Sequence, residues 1–461
     1  LKSSIYAVTL YFFSTLLISI SPAEPSKAST LKIGTLISPS SYYPSENRII
    51  GFDYELATQF ANFLDQHIEF ITFPNTDSLL TAARNGSVDI IAANIPKSLA
   101  NTPNLISGPT LYQSDHVVVY NRQFKKPANL NQLDDKLTIA KSSFYGELLS
   151  SQTQKVTWNT VNSTPAALLV KVAKGEISYT ITDSANLALM QRYLPTLRAA
   201  FTLKKQQSIG WMLADNSDPN LLSHLLDFFN HAHQTGQMEH LQEKYFGHTS
   251  SFDYVDTRAF IRAANTKLAK YQPWFKKYSA NIDWKMLAAI SYQESHWNPK
   301  ARSYTGVRGM MMLTRPTAKQ LGVDNRLDAE QSIRGGAQYI NHLVANLPKS
   351  IPSHERLWFA LASYNIGYGH VEDARKIAQS KGLDPSAWKD VKTVLPLLHQ
   401  PGYYDYTRHG FARGKEAVHY VENIRRYYDT LSLLTDEPLK DLYASDNVII
   451  MSPKTVVLSP E

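Results

Sequence analysis

The chain has 461 residues, which at roughly 150 per domain points to about three units or two large ones. With 43% hydrophobic and 19% charged residues, disordered, collagen-like and coiled-coil classes are excluded. Lys plus Arg total 47 against 40 Asp plus Glu, and this +7 excess is dispersed without a polybasic run, so nucleic acid is not an expected partner. Cysteine is absent, which removes disulfides, thiolate metal sites, cysteine nucleophiles and a lipid-modified N-terminal cysteine.

Lys2 precedes an apolar run from Ile5 to Ile20 that is diluted by Thr9, Ser14, Thr15 and Ser19. Ser21-Pro22-Ala23 then has the small-x-small form of a signal peptidase site. Residues 1–23 therefore read as a secretory signal peptide, with cleavage after Ala23 or after Ala28. The competing reading is a membrane anchor, but a span wants about 20 apolar residues and this run has about 16.

Residues 30–248 alternate strand-like and helix-like segments. Strands are expected at 31–35, 68–73 and 88–92, with helices at 53–64 and 77–85. That rhythm predicts a parallel or mixed sheet with helices on its faces. A second lobe is expected from residues 117–120, with strands at 137–140 and 179–181 and a return near 210–213. From about residue 255 the strand pattern gives way to helical spacing at 257–278, 284–295, 329–346, 355–364, 371–380 and 416–434. The fold class is thus α/β followed by all-α, with a tail at 435–461 that holds a β-prone Val448-Ile449-Ile450.

Within 284–295, Asp283 is placed to cap the helix and Asn298-Pro299 to stop it. Glu294 shares the apolar face of Leu287 and Ile290 and lies in the last turn. Desolvation and the helix dipole both push its carboxyl up, which suits a general acid working near neutral pH. The alternative is a carboxylate paired with Arg302 or Arg308.

After Glu294-Ser295 come Asn298-Pro299, Ser303, Gly306, Gly309-Met310-Met311-Met312-Leu313, Ser363-Tyr364-Asn365-Ile366-Gly367, and Glu416-Ala417-Val418-His419-Tyr420-Val421. In this order and spacing they resemble the soluble-lytic-transglycosylase domain, which has a goose-lysozyme-like fold. The resemblance implies that Glu294 is the acid/base and Ser295 its motif neighbour. It implies that Ser303 steadies an acetamido group, that Tyr364 and Asn365 line the site, and that Tyr420 bonds the glutamate. Taken alone, Tyr420 is equally a packing residue, and a methionine stripe is more often core than contact. Met312 stands where many members have Gln, and Ser363 where they have Ala.

A single carboxylate sets the implied chemistry apart from glycosidases that pair two. The glutamic acid protonates the glycosidic oxygen between MurNAc and GlcNAc, and the substrate's N-acetyl group stabilises the cationic centre. Glutamate then takes the proton of the muramic C6 hydroxyl, which attacks C1 and closes a 1,6-anhydro ring. That step is intramolecular, which favours it over attack by water. The implied reaction needs no metal or cofactor. Two other readings stand beside it: a goose-lysozyme-like hydrolase, and a solute receptor carrying a glycan-binding module.

Residues 31–248 resemble the solute-binding proteins for polar amino acids, through Gly51-Phe52-Asp53-Tyr54-Glu55, Asn85-Gly86-Ser87-Val88-Asp89-Ile90, Ser107-Gly108-Pro109 and Thr182-Asp183-Ser184. Such domains close two lobes on a ligand by a hinge. Asp183 either receives a ligand ammonium group or caps a turn. Asn101 stands where transporter members carry a carboxylate-clasping arginine, so the bidentate clamp is missing there. The domain order resembles the membrane-bound lytic murein transglycosylases of the F type. That implies a regulatory front domain for muropeptides, glycan strands as substrate, and a periplasmic protein peripheral on the inner face of the outer membrane.

Overall fold

The computed structural model describes residues 30–44, 49–101, 103–133, 135–141, 144–152, 156–192, 194–247, 254–435 and 457–458. The expected signal peptide, the strand at 448–450 and the side chain of Asn101 lie outside the described residues. Strand Thr30–Leu36 pairs in parallel with His67–Phe73 on one side and with Ile90–Ile91 on the other. The crossovers carry the helices Phe52–Phe63 and Thr76–Arg84. Phe52, Leu56 and Phe60 recur one turn apart and are all buried, so one stripe of the first helix faces the sheet. Asn75 starts the second helix by accepting the Ser78 N–H at 2.9 Å.

Two long strands, Leu105–Asn121 and Leu197–Ala214, pair antiparallel and run through both lobes, with register shifts between Ala199 and Met212. One end of this ribbon joins Ile90–Ile91, and its other end takes Tyr179–Asp183, so a single seven-stranded sheet spans both lobes. A buried cluster passes from Leu79 and Ile91 in the first lobe to Phe144, Tyr145 and Leu148 in the second and joins the two. The helices Leu221–Gln234 and Gln237–Phe246 return to the first lobe and pack on Phe60 and Trp211.

The remaining helices surround one apolar cluster that includes Leu287, Ile290, Phe359, Leu361, Val391, Val421 and Ile424. The expected helix at 257–278 is interrupted: Tyr254–Ala263 and Ala269–Tyr278 are joined by a π turn, Ala264–Leu268. That turn presents Lys267, whose Nζ donates to the His296 carbonyl at 3.1 Å. A cation so placed offsets the negative end of the helix Trp284–Ser295. Arg315–Gln320 and Trp388–Val394 are short helices whose few residues leave little periodicity to read.

Polar pairs fasten the two halves. Glu243 binds Lys392 Nζ at 2.8 Å and Arg425 at 2.7 Å. Arg192, at the C-terminal end of Ser184–Gln191, pairs with Asp429 and donates to the Tyr245 carbonyl at 3.0 Å. Thr430 donates to the Arg192 carbonyl at 3.0 Å.

Candidate active site

Trp284–Ser295 begins as expected, with Asp283 accepting the Lys285 N–H at 2.9 Å. It also ends at Ser295 as expected, but the stop signal is a different residue. His296 turns left-handed at φ 52, with its N–H on the Tyr292 carbonyl, so the helix stops before Asn298-Pro299 is reached. Eight of the helix's residues, Lys285 to Tyr292, are buried, and the chain emerges at Gln293, Glu294 and Ser295. Glu294 is therefore held at the rim of the core by a helix that cannot move without opening it.

The Glu294 carboxylate accepts a short hydrogen bond from the Tyr420 hydroxyl. Tyr420 is 6% exposed and projects from Gly414–Thr435, which packs along the acid-bearing helix. Neither Arg302 nor Arg308 is a partner of Glu294 among the described residues. Burial pushes the Glu294 carboxyl up to about 7, and the Tyr420 hydrogen bond pulls it the other way. Burial first, and Glu294 next, raise the Tyr420 and Tyr364 hydroxyls well above their ordinary value, so both remain donors. Tyr364, on Arg356–Ile366, donates to the Met311 carbonyl at 2.6 Å and touches the Tyr339 ring at 5.3 Å.

The methionine segment forms a tight hairpin. Arg308 and Leu313 exchange main-chain bonds at 3.2 and 3.1 Å, and Met312 N–H reaches Gly309 O at 3.2 Å. Met310 and Met311 are fully buried, whereas Met312, at φ 46, is half-buried. The stripe thus divides into two core residues and one at the surface. Ser295 donates to the Met310 carbonyl at 2.9 Å, as does Ser291 at 3.2 Å. Ser295 consequently ties the acid's helix to the hairpin.

Glu294, Tyr420 and Tyr364 come together beside this hairpin, to which Ser295 is bonded and of which Met312 is the half-buried member. Asn365 follows Tyr364 and is exposed. Ser303 lies in the loop that joins the hairpin through the Gly309 N–H on the Ala301 carbonyl at 3.0 Å, with its hydroxyl 2.7 Å from Thr305 and accepting the Val307 N–H at 3.3 Å. The sequence reading missed Ser332, which accepts the Met311 N–H at 3.1 Å, and Gly336, where a Cβ would lie 2.5 Å from Met311. The adjacent glycines Gly335-Gly336 inside an otherwise regular helix were the available signal of a close approach.

Asp183 lies in the front half. One oxygen caps Ser184–Gln191 through the Asn186 N–H at 2.8 Å, and the other accepts from Asn94 Nδ2 at 3.2 Å. Asn94 also gives its N–H to Asp53 at 2.9 Å and accepts from Tyr112. Burial pushes the carboxyls of Asp53 and Asp183 up to about 6, opposed by these hydrogen bonds. Asp183 lines a cavity of about 40 Å³ between the lobes, which holds about one water.

Residues 273–386 match the transglycosylase SLT domain, and residues 31–248 match the bacterial extracellular solute-binding proteins, family 3. Over 438 residues, 94% of this chain and 92% of the relative, the sequence is 49% identical to membrane-bound lytic murein transglycosylase F of Shewanella halifaxensis (strain HAW-EB4). The chain belongs to the membrane-bound lytic murein transglycosylase F family. The namesake from Shewanella frigidimarina (strain NCIMB 400) is 51% identical over 413 residues, 89% of this chain and 87% of that one. A solved substrate-binding protein of an amino acid ABC transporter, 16% identical, covers 48% of this chain and all of its own at a TM-score of 0.43.

Proposed function

We propose that the chain is a peptidoglycan lytic transglycosylase that cuts the β-1,4 bond between MurNAc and GlcNAc and leaves 1,6-anhydro-MurNAc ends. The observation that carries this is the lone carboxyl of Glu294, raised to about 7 and gripped by Tyr420. Among the described residues, no second carboxylate bonds to either group. A protonated Glu294 gives its proton to the leaving glycosidic oxygen. The resulting carboxylate, steadied by Tyr420, takes the proton of the C6 hydroxyl as that oxygen bonds to C1. Glu294 ends the cycle protonated, and water is not consumed. Asn365, Ser303 and Met312 are the exposed or half-exposed contacts for the glycan.

The test is mass spectrometry of products from purified sacculi treated with the chain and with its Glu294→Gln form. Anhydro-muropeptides, lighter by one water than hydrolytic products and made only by the Glu294 form, are expected. Reducing-end products would turn the reading to a hydrolase.

Residues 255–434 are the catalytic part in this reading, and 30–248 a regulatory part; the space beside Asp183 holds about one water as it stands, so a muropeptide enters the inter-lobe cleft only when the lobes part. Asp183 caps one end of Ser184–Gln191, and Arg192 at the other end grips the helix that carries Tyr420. The membrane-bound name of the relatives supports membrane association, and this reading places the chain in the periplasm, peripheral on the outer membrane. Among the described residues no helix is long and apolar enough to cross a membrane. Equal activity of Arg192→Ala and the parent chain, with and without added muropeptides, would remove the regulatory link.

A further inference from the structure

At the seam between the halves, His240 of Gln237–Phe246 faces His354 and Glu355, which immediately precede Arg356–Ile366. The two imidazole rings lie 3.9 Å apart, and His240 Nδ1 is 2.9 Å from Glu355 Oε1. One donor atom from each of the three residues lies within 4.8 Å of the others. Glu355 is 5% exposed, and its second oxygen accepts the Trp388 N–H at 2.9 Å, which fixes the first oxygen towards the histidines. His240 is half-buried and His354 exposed, so the cluster opens to solvent on one side. None of these groups has a part in the cleavage chemistry.

A hydrogen-bonded pair fastening the seam accounts for His240 and Glu355. It leaves unexplained why a second imidazole is set against the first, tilted by 47°. Two imidazoles and one carboxylate are a zinc donor set, with a fourth position left for water. Bonds of about 2.0–2.2 Å place tetrahedral ligands about 3.3 Å from one another. The His240–Glu355 pair is already close to that spacing, and rotation of the exposed His354 side chain brings the third donor in. The Trp388 N–H is the outer-shell partner that orients the carboxylate.

We propose that His240, His354 and Glu355 form a binding site for a divalent transition-metal ion, zinc by its donor set, which clips the solute-binding half to the helical half. The test uses the full chain, stripped with a chelator and titrated with Zn²⁺ against a chromogenic competitor. One equivalent is expected to bind and to raise the thermal unfolding midpoint. His354→Ala is expected to weaken binding by about tenfold or more and to abolish the thermal shift. Its metal-free activity on sacculi should match that of the metal-free parent. Co²⁺ in place of Zn²⁺ should give the intense visible absorption of a tetrahedral site in the parent and not in the variant. Absence of stoichiometric binding overturns the site, and so does an equivalent that survives both His354→Ala and His240→Asn.

Discussion

In the proposed mechanism, Glu294 serves chemistry at the expense of stability. Its carboxyl binds a proton more tightly in the folded chain, at about 7, than at the ordinary value of 4.5. The unfolded chain therefore ionises first. Stability on this account is fully present below the lower value, declines between the two and stays reduced above about 7. Glu294→Gln should raise stability at about pH 8 by on the order of 1–3 kcal/mol and leave it unchanged at about pH 4. Denaturant titrations at the two pH values measure this. The same change should lower activity by about 10²- to 10⁴-fold. Because the acid must start protonated, kcat/KM should fall as pH rises through about 7. Tyr420→Phe removes the bond that favours the ionised form, so this limb should move to higher pH. Its rate should drop about 10- to 100-fold, the equivalent of a hydrogen bond to a charged group. At this scale the raised carboxyl of Glu294 was legible, since an ionisable residue at the end of an apolar helical face is visible in sequence. The choice between an arginine and Tyr420 as its partner was not, because it depends on which helix packs alongside.

The hairpin around the methionines carries the site as an element. Gly309 is left-handed at φ 89, and a Cβ there would lie 1.8 Å from the Arg326 carbonyl oxygen. That oxygen is main chain and cannot swing aside. Gly309→Ala is therefore expected to cost about 2–4 kcal/mol, read as a lower denaturant midpoint, with activity falling as Met310 and Met311 lose their places. Helix positions were readable because apolar spacing sets them: 329–346 was expected and Ala329–Asn346 is observed. The hairpin's inside and outside were not readable. Its burial is decided by two positive-φ residues, Gly309 and Met312, which break any period in a four-residue turn. Ser295 illustrates the same limit. Its motif marks it for the site, while its hydroxyl joins Met310 O to the helix.

For the whole molecule, two rhythms in the sequence separated a sheet-containing half from a helical half, because period 2 and period 3.6 differ over any long stretch. The seam between them left no such mark. It rests on single polar residues far apart in the chain, such as Glu243 with Lys392 and Arg425. Arg425 is 3% exposed on its side chain and Glu243 11%, so the removal of one partner strands buried charge. Glu243→Ala should cost about 3–5 kcal/mol of the docked state. Small-angle scattering should then show a larger radius.

The long helix that carries Tyr420 is held by both lobes of the front half, through Arg425 to the first and through Asp429 and Thr430 to the second. These grips are about 6 Å apart along the axis, and Tyr420 lies about 7.5 Å beyond the first. The same helix buries Val421, Ile424 and Leu431 in the helical core. Tyr420 and the seam between the halves therefore share a single support, and a loosened seam is expected to be felt at the Glu294 carboxylate through it.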